Sequence, residues 1–388
     1  MGAAVIVEAV RTPMGKRGGG LKDVHPVLLA ALVLKELVGR SGLEPGQVDD
    51  VILGCVTQTG EQGLNVARNA WLAAGFPVTT PATTVDRQCG SGQQAIHFAA
   101  ALVEAGAAEV VVAGGVESMS RIPMGSNASG PGTPFPPELT ELYDLVPQGV
   151  SAELMARKYG ISRREMDEYS VGSHLRAARA TQEGRLASQM VPVPLPGGGV
   201  MDRDEGIRAD ASLEATAALP PAFDPGHSIT AGNSSQITDG AAALMVMSAD
   251  RARRLGLSPR ARIAAQATVG TDPVLMLEGP IPGTGAVLRR AGISIEDVDL
   301  FEINEAFASV VLAWAKETGG DLEKTNVNGG AIAIGHPLGA SGARLMTHLL
   351  YELERRDLRW GLQAMCCGGG LGTATVIDRA PAEAPRHL

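Results

Sequence analysis

Four side chains stand out because each sits where a glycine-rich turn would present it. Cys89 lies in DRQCGSGQQA, between the short run ATTV and an amphipathic stretch. A strand followed by a helix puts this thiol at or near a helix N-terminus, where unpaired N–H groups and the helix dipole favour a thiolate. Gly90 and Gly92 beside it allow a strained turn and close substrate approach. A lone cysteine is more often simply buried, so the turn is what singles Cys89 out. His336, in NGGAIAIGHPLGASG, reads as following a strand and preceding a helix. A Cys–His pair is the minimum for an activated sulfur nucleophile, although His336 alone is equally a turn histidine facing water. Cys366 and Cys367, in MCCGGGLG, close a strand with glycines whose N–H groups are free to point at an oxyanion. Asn304, followed by Glu305 in EINEAF, can orient a water or a carbonyl, or simply cap a helix.

The elements that must position these residues occur twice. GLEPGQVDDVILGCV is echoed by GISIEDVDLFEINEA, each a helical turn and a buried strand. TVDRQCGSGQQAIHFAAALVEAG is echoed by IAIGHPLGASGARLMTHLLYELE, each a strand, a Gly/Ser-rich turn and an amphipathic helix. EVVVAGGVES pairs with GLQAMCCGGG, and DGAAALMVMS with LGTATVIDRA, as further strands. Two α/β halves are therefore expected: residues 1–118 with 239–258, and residues 259–388. Between them in sequence, residues 119–238 form an insertion that folds over the body, with a capping box at Ser162 and Glu165 opening a helix to about Thr181. Pseudo-symmetry of the halves would bring Cys89 and His336 together, at the C-terminal ends of strands.

Bulk properties agree. The 388 residues suit two domains or two halves plus an insertion. Aromatics are only 3% of the chain while 45% is hydrophobic, which favours tightly packed α/β layers. A net charge of −9 argues against a nucleic-acid partner, yet local arginines and helix N-termini can still hold phosphates. No apolar run approaches membrane-spanning length. The N-terminus lacks the order of a signal peptide. The absence of a C-x-x-C pair disfavours zinc, so no metal is expected, and the four cysteines read as reduced and cytoplasmic. Cys55 and His97 read as packing residues. Met119, Met124 and Met155 could line an acyl tunnel, with core the favoured reading.

Taken together and in this order, the motifs around Cys89, Asn304, His336 and Cys366 resemble those of the thiolase family. The resemblance runs from VRTPMGK at 10–16 to CCGGG at 366–370, and TAGNSSQITDGAA at 230–242 is similar to the family's CoA-binding loop. It implies the thiolase fold, two pseudo-symmetric βα halves in a layered αβαβα arrangement with an inserted loop domain. It implies that Cys89 is acylated, that His336 activates it and later deprotonates CoA, and that Cys366 exchanges the proton at the acetyl-CoA methyl. Asn304 would hold a water that, with His336, binds the thioester oxygen. The N–H groups of Cys89 and Gly368 would form a second oxyanion hole. Ser235, Arg208, Phe223, Ala231 and Phe307 would contact CoA. Coenzyme A and 3-ketoacyl-CoA are the implied partners, with no tightly bound cofactor, and a homodimer or homotetramer is the implied assembly.

Two departures bear on specificity. Many thiolases have Asn three residues before the nucleophile, where this chain has Asp86. Short-chain biosynthetic members carry His-Met-Gly where this chain has Pro147-Gln148-Gly149. The motifs look closest to bacterial thiolases acting on longer or steroid-type acyl chains, so a degradative role is expected. The alternatives are an acetoacetyl-CoA-forming thiolase, a ketoacyl-synthase-like condensing enzyme, against which Cys366 argues, and a non-catalytic acyl-CoA or lipid-binding relative.

Overall fold

The computed structural model describes residues 2–380; the last residues of the segment 259–388 assigned to the second half lie outside them. The long strands are β1 (Ala4–Arg11), β2 (Asp50–Gly54), β3 (Ala82–Val85), β4 (Val110–Ser118), β5 (Thr238–Ser248), β6 (Ala261–Gly270), β7 (Leu300–Ile303), β8 (Trp360–Cys367) and β9 (Leu371–Asp378). They join in the order β7-β8-β9-β6-β1-β5-β4-β2-β3. The halves meet at β1 and β6, which share only the pairs Val5↔Arg262 and Ile6↔Ala261. Central strands are apolar on both faces: every residue of VVVAGGVES in β4 is buried, as expected for a strand covered by helices on both sides.

The helices that matter are α1 (Pro26–Ser41), α2 (Val66–Ala73), α3 (Ser91–Glu104), α4 (Gln148–Lys158), α5 (Arg163–Gln182), α6 (Pro280–Ala291), α7 (Ala308–Thr318), the single turn α8 (Ala331–Ile334) and α9 (Leu338–Arg355). Helices α3 and α9 pack on each other and on strands of both halves. Helices α1 and α2 cover the outer face of the first half, and α6 and α7 that of the second. The layering is therefore α/β/α/β/α, with α3 and α9 in the shared middle. Helix α9 is buried almost throughout. Its apolar side joins Ala95, Ile96 and Ala99 of α3 in one core.

Close approach in that middle layer depends on glycine. A Cβ on Gly92 would stand 2.7 Å from the Gly339 carbonyl oxygen, and one on Gly339 would stand 2.5 Å from that of Gly54. The start of α9 thus lies directly on the backbone of α3 and β2.

One expected element is different. The segment before His336 is not a strand but the helical turn α8. The outer edge of β7 is met instead by Thr325, which bridges Phe301, and by the Asn326 side chain. That amide accepts from the Ile303 N–H at 2.9 Å and donates to the Ile303 carbonyl at 2.8 Å, substituting for a strand. Helix α5 then covers this end, its Tyr169 and Ser173 hydroxyls each donating to Glu305 at 2.8 Å. The predicted capping box opens α5, which runs one residue past Thr181.

Candidate active site

The Cys89 turn follows β3 and leads into α3, with Gly90 as N-cap. Its strain lies not at the glycines but at Gln88, which has φ of 50°. A left-handed conformation at a residue with a Cβ persists only where surroundings enforce it. Here Asp86 accepts from the Gln88 N–H at 2.6 Å. Ser91 Oγ accepts from the Arg87 N–H at 2.8 Å and donates to the Gln88 carbonyl at 2.6 Å. Gly90 is in an ordinary conformation, φ −85°. Its role is proximity to protein rather than to substrate, since a Cβ would meet Cys367 Sγ at 2.7 Å and Thr373 Oγ1 at 2.9 Å.

Cys89 is 4% exposed and packs with Val56, Met119 and Leu338. Burial pushes its thiol up to about 11, opposed by hydrogen bonds from the Gly368 N–H, the Gln148 side chain and its own N–H. The thiolate expected from the helix N-terminus is therefore not the resting state. Desolvation outweighs the donors.

His336 follows α8 and stands just before α9. Two contacts define its ring. Ser341 Oγ lies 2.6 Å from Nδ1 and spends its single proton on the Pro337 carbonyl at 2.8 Å. It must accept from the ring, which assigns the proton to Nδ1 and the lone pair to Nε2. Asn304 Nδ2 faces that lone pair at 3.3 Å. Burial, reinforced by the charge of Arg344, pulls His336 down to about 3, so the imidazole is neutral at ordinary pH. Asn304 follows β7 and does not cap α7, whose N-cap is Phe307.

Cys366 is the last but one residue of β8 and fully buried, and burial followed by the proximity of Cys89 and Cys367 holds its thiol well above the usual range. All four cysteines are free thiols. Beyond Cys367 the chain turns through Gly368, Gly369 and Gly370, the last two at φ 78° and 75°, which aims the Gly368 N–H at Cys89 Sγ.

Glu117, at the end of β4, ties the loop after β2 to the start of α9. One carboxylate oxygen accepts from the Val56 and Gly339 N–H groups, each at 2.9 Å. The other accepts from the Thr57 N–H at 3.0 Å and Gln62 Nε2 at 2.9 Å. It thus fastens the loop after β2 to the first turn of α9, across the two halves. The sequence reading gave Glu117 no role, and a buried carboxylate closing a hydrophobic strand was the signal available.

A cleft of about 690 Å3 opens onto Cys89. Gln88, Gln148 and Gly368 border the sulfur, and the walls are apolar: Met124, Phe135, Leu145, Met276, Phe223 and Phe307. Of the residues expected to bind CoA, Phe223 and Phe307 line the cleft and meet edge-on with ring centroids 6.4 Å apart. Ser235, Ala231 and Arg208 are not in its walls. The Ser235 N–H is tied to the Ala306 carbonyl at 2.9 Å, while Ala231 and Arg208 are exposed. Met124, read as insertion core, is instead 56% exposed and on the cleft. Met155 is core, and Met119 packs beside Cys89. Cys55 is buried, and His97 is buried on α3 with Nε2 2.8 Å from Thr375 Oγ1.

Comparisons with known proteins agree with this arrangement. The family model described as "Thiolase, N-terminal domain" matches residues 4–250, and that described as "Thiolase, C-terminal domain" matches residues 257–379. The steroid 3-ketoacyl-CoA thiolase FadA6 of Mycobacterium tuberculosis is 47% identical, covering 98% of this chain and 95% of that protein. The 3-ketoacyl-CoA thiolase of Escherichia fergusonii is 46% identical, covering 98% of this chain and all of that one (100%). Among solved structures, the Bacillus anthracis acetyl-CoA acetyltransferase superposes with a TM-score of 0.92 at 43% identity, covering 98% of this chain and 99% of that one.

Proposed function

The chain belongs to the thiolase family, and from that premise we propose that it cleaves 3-ketoacyl-CoA with CoA, giving acetyl-CoA and a shortened acyl-CoA through a thioester on Cys89. The observation that carries the reading is the placement of Cys89 beside Gly368 at the floor of the apolar cleft, with Cys366 near it and Leu338, from the turn after His336, packed against it.

In the proposed sequence, Cys89 gives its proton to the Nε2 lone pair of His336 and its sulfur attacks the 3-keto carbon. The carbonyl electron pair moves to oxygen, which the Cys89 and Gly368 N–H groups receive. The oxyanion collapses, the C2–C3 bond breaks, and acetyl-CoA departs as an enolate. Cys366, held protonated by burial, delivers a proton to that carbanion and recovers one from His336. Asn304, through a water, serves the thioester oxygen of that enolate; CoA then loses its thiol proton to His336 and attacks the Cys89 thioester, whose oxygen stays on the Cys89 and Gly368 N–H groups. Cys89 leaves and takes the proton back. Fixed donors suit both oxyanions because no reorganisation is needed as charge develops.

A degradative role on longer or bulky acyl groups is favoured by the apolar cleft and by Pro147-Gln148-Gly149 in place of His-Met-Gly. Coenzyme A enters as substrate, with no tightly bound cofactor, in the cytoplasm. A homodimer or homotetramer is proposed on the family resemblance; a monomeric mass by light scattering would refute that.

Thiolysis of acetoacetyl-CoA and of a long or steroid-like 3-ketoacyl-CoA, with the native chain and Cys89→Ala in parallel, tests the reading. Faster cleavage of the bulky substrate and an inactive variant are expected. Turnover of acetoacetyl-CoA alone would support the biosynthetic reading, and no turnover of either would leave a binding protein.

A further inference from the structure

One side-chain amide stands beside Cys89 in the cleft, and the proposed reaction does not use it. Gln148 is the first residue of α4, its side chain borders the cleft with Cys89 and Gly368, and its amide favours the thiolate of Cys89. It also borders Gly368: a Cβ built there would lie 3.4 Å from Gln148 Nε2 and 3.1 Å from Gln88 Oε1. The two backbone N–H groups and the Gln148 amide thus surround one point at the floor of the cleft.

The amide is held in place. A Cβ on Gly149 would lie 2.0 Å from the Phe223 ring, so the start of α4 is pressed directly onto that ring. Ser151 Oγ donates to the Leu275 carbonyl at 2.6 Å, and Ala152, Met155 and Ala156 seat the helix in a core shared with α7. Such anchoring fixes a donor before the reaction begins.

We propose that Gln148 is a catalytic residue of this thiolase: its side-chain amide is a third donor that serves the Cys89 sulfur before attack and the 3-oxyanion after it. The inference rests on the thiolase reading above. As the S–C bond forms, negative charge leaves sulfur and appears on an oxygen bonded to the same carbon. A donor aimed at the sulfur reaches that oxygen by a small rotation. Gln148 transfers no proton, so proton balance is unchanged. Its contribution should be at most that of one oxyanion donor, roughly 100- to 1,000-fold in kcat.

The test compares the native chain with Gln148→Ala and Gln148→Met in thiolysis and in alkylation of Cys89 by iodoacetamide at fixed pH, without substrate. Both variants should lose at least about tenfold in kcat with little change in KM, and Cys89 should be alkylated more slowly because its thiolate has lost a donor. The methionine variant preserves bulk, so a loss in both separates hydrogen bonding from packing. Values of kcat and alkylation rate within twofold of native in Gln148→Met would overturn the proposal, as would a change confined to KM, which would make Gln148 a wall of the acyl slot. Native-like thiolysis by Cys89→Ala would instead overturn the underlying thiolase reading.

Discussion

At Cys89 and His336, the free enzyme is in its neutral form on both sides. Burial raises the thiol to about 11 and lowers the imidazole to about 3, so in the proposed reaction no ion pair is stored in advance and proton transfer accompanies attack. That makes the tautomer of His336 decisive, and Ser341 sets it. Ser341→Ala removes the acceptor from Nδ1–H, so the proton can move to Nε2 and block the base. Loss of such a partner behind a functional histidine should lower kcat by about 10- to 100-fold, with KM nearly unchanged. Steady-state thiolysis checks this, and an unaltered kcat would mean that Asn304 alone selects the tautomer. Ser341 lies five residues past His336, inside GHPLGASG, and nothing in that string distinguishes it from a residue of helix propensity. Only the direction of its proton, toward the Pro337 carbonyl, reveals its work.

Among the elements, α3 and α9 do the positioning, and they do so by touching backbone to backbone. Gly92→Ala would place a methyl 2.7 Å from the Gly339 carbonyl and 3.0 Å from the Ala343 nitrogen. The two helices would have to separate, at a cost of about 1–3 kcal/mol for an overpacked contact. Because the turns of Cys89 and His336 ride on these helices, thiolysis should fall further than the change in urea midpoint accounts for. A stability loss with native kcat would show that the turns keep their places when the helices move apart. The strands before Cys89 and Cys366, and the helices after Cys89 and His336, were legible because apolar runs end there in glycine turns. The segment before His336 was not. AIAI carries the apolar run of a buried strand, but periodicity cannot separate a short strand from a buried helical turn. Asn326, at φ 48°, already occupies the edge where that strand would pair. In the candidate site, Cys89, His336, Asn304 and Cys366 are singled out by turn chemistry. Gln148 and Glu117 are not, since their partners lie far away in sequence.

For the molecule as a whole, burying ionisable groups between sheets makes stability depend on pH in two opposed directions. His97 and His336 are each pulled down to about 3, burial being the largest cause. The unfolded chain binds protons at these sites from about pH 6.5 downward while the folded one does not. Their contribution is therefore complete above pH 6.5 and is lost as pH falls toward 3, at about 1.4 kcal/mol per unit for each. Glu302 on β7 does the reverse. Burial raises it to about 8, so the folded state holds a proton there that the unfolded chain releases above about 4.5, and stability falls as pH rises from 4.5 to 8. Between 4.5 and 6.5 the histidines, joined by His174 and His348, which burial also pulls down, outweigh the Glu302 carboxyl. Above 6.5 the histidines no longer change, while the contribution of Glu302 still fades. Thermal stability should thus peak near pH 6.5 and decline on both sides, and scanning calorimetry from pH 4 to 8 measures it directly. Glu302→Gln, which keeps the shape of the protonated acid, should flatten the alkaline side and leave the acid side in place. A melting temperature that climbs steadily to pH 8 in the native chain would show that Glu302 is ionised in the fold, with Arg344 as its counter-charge.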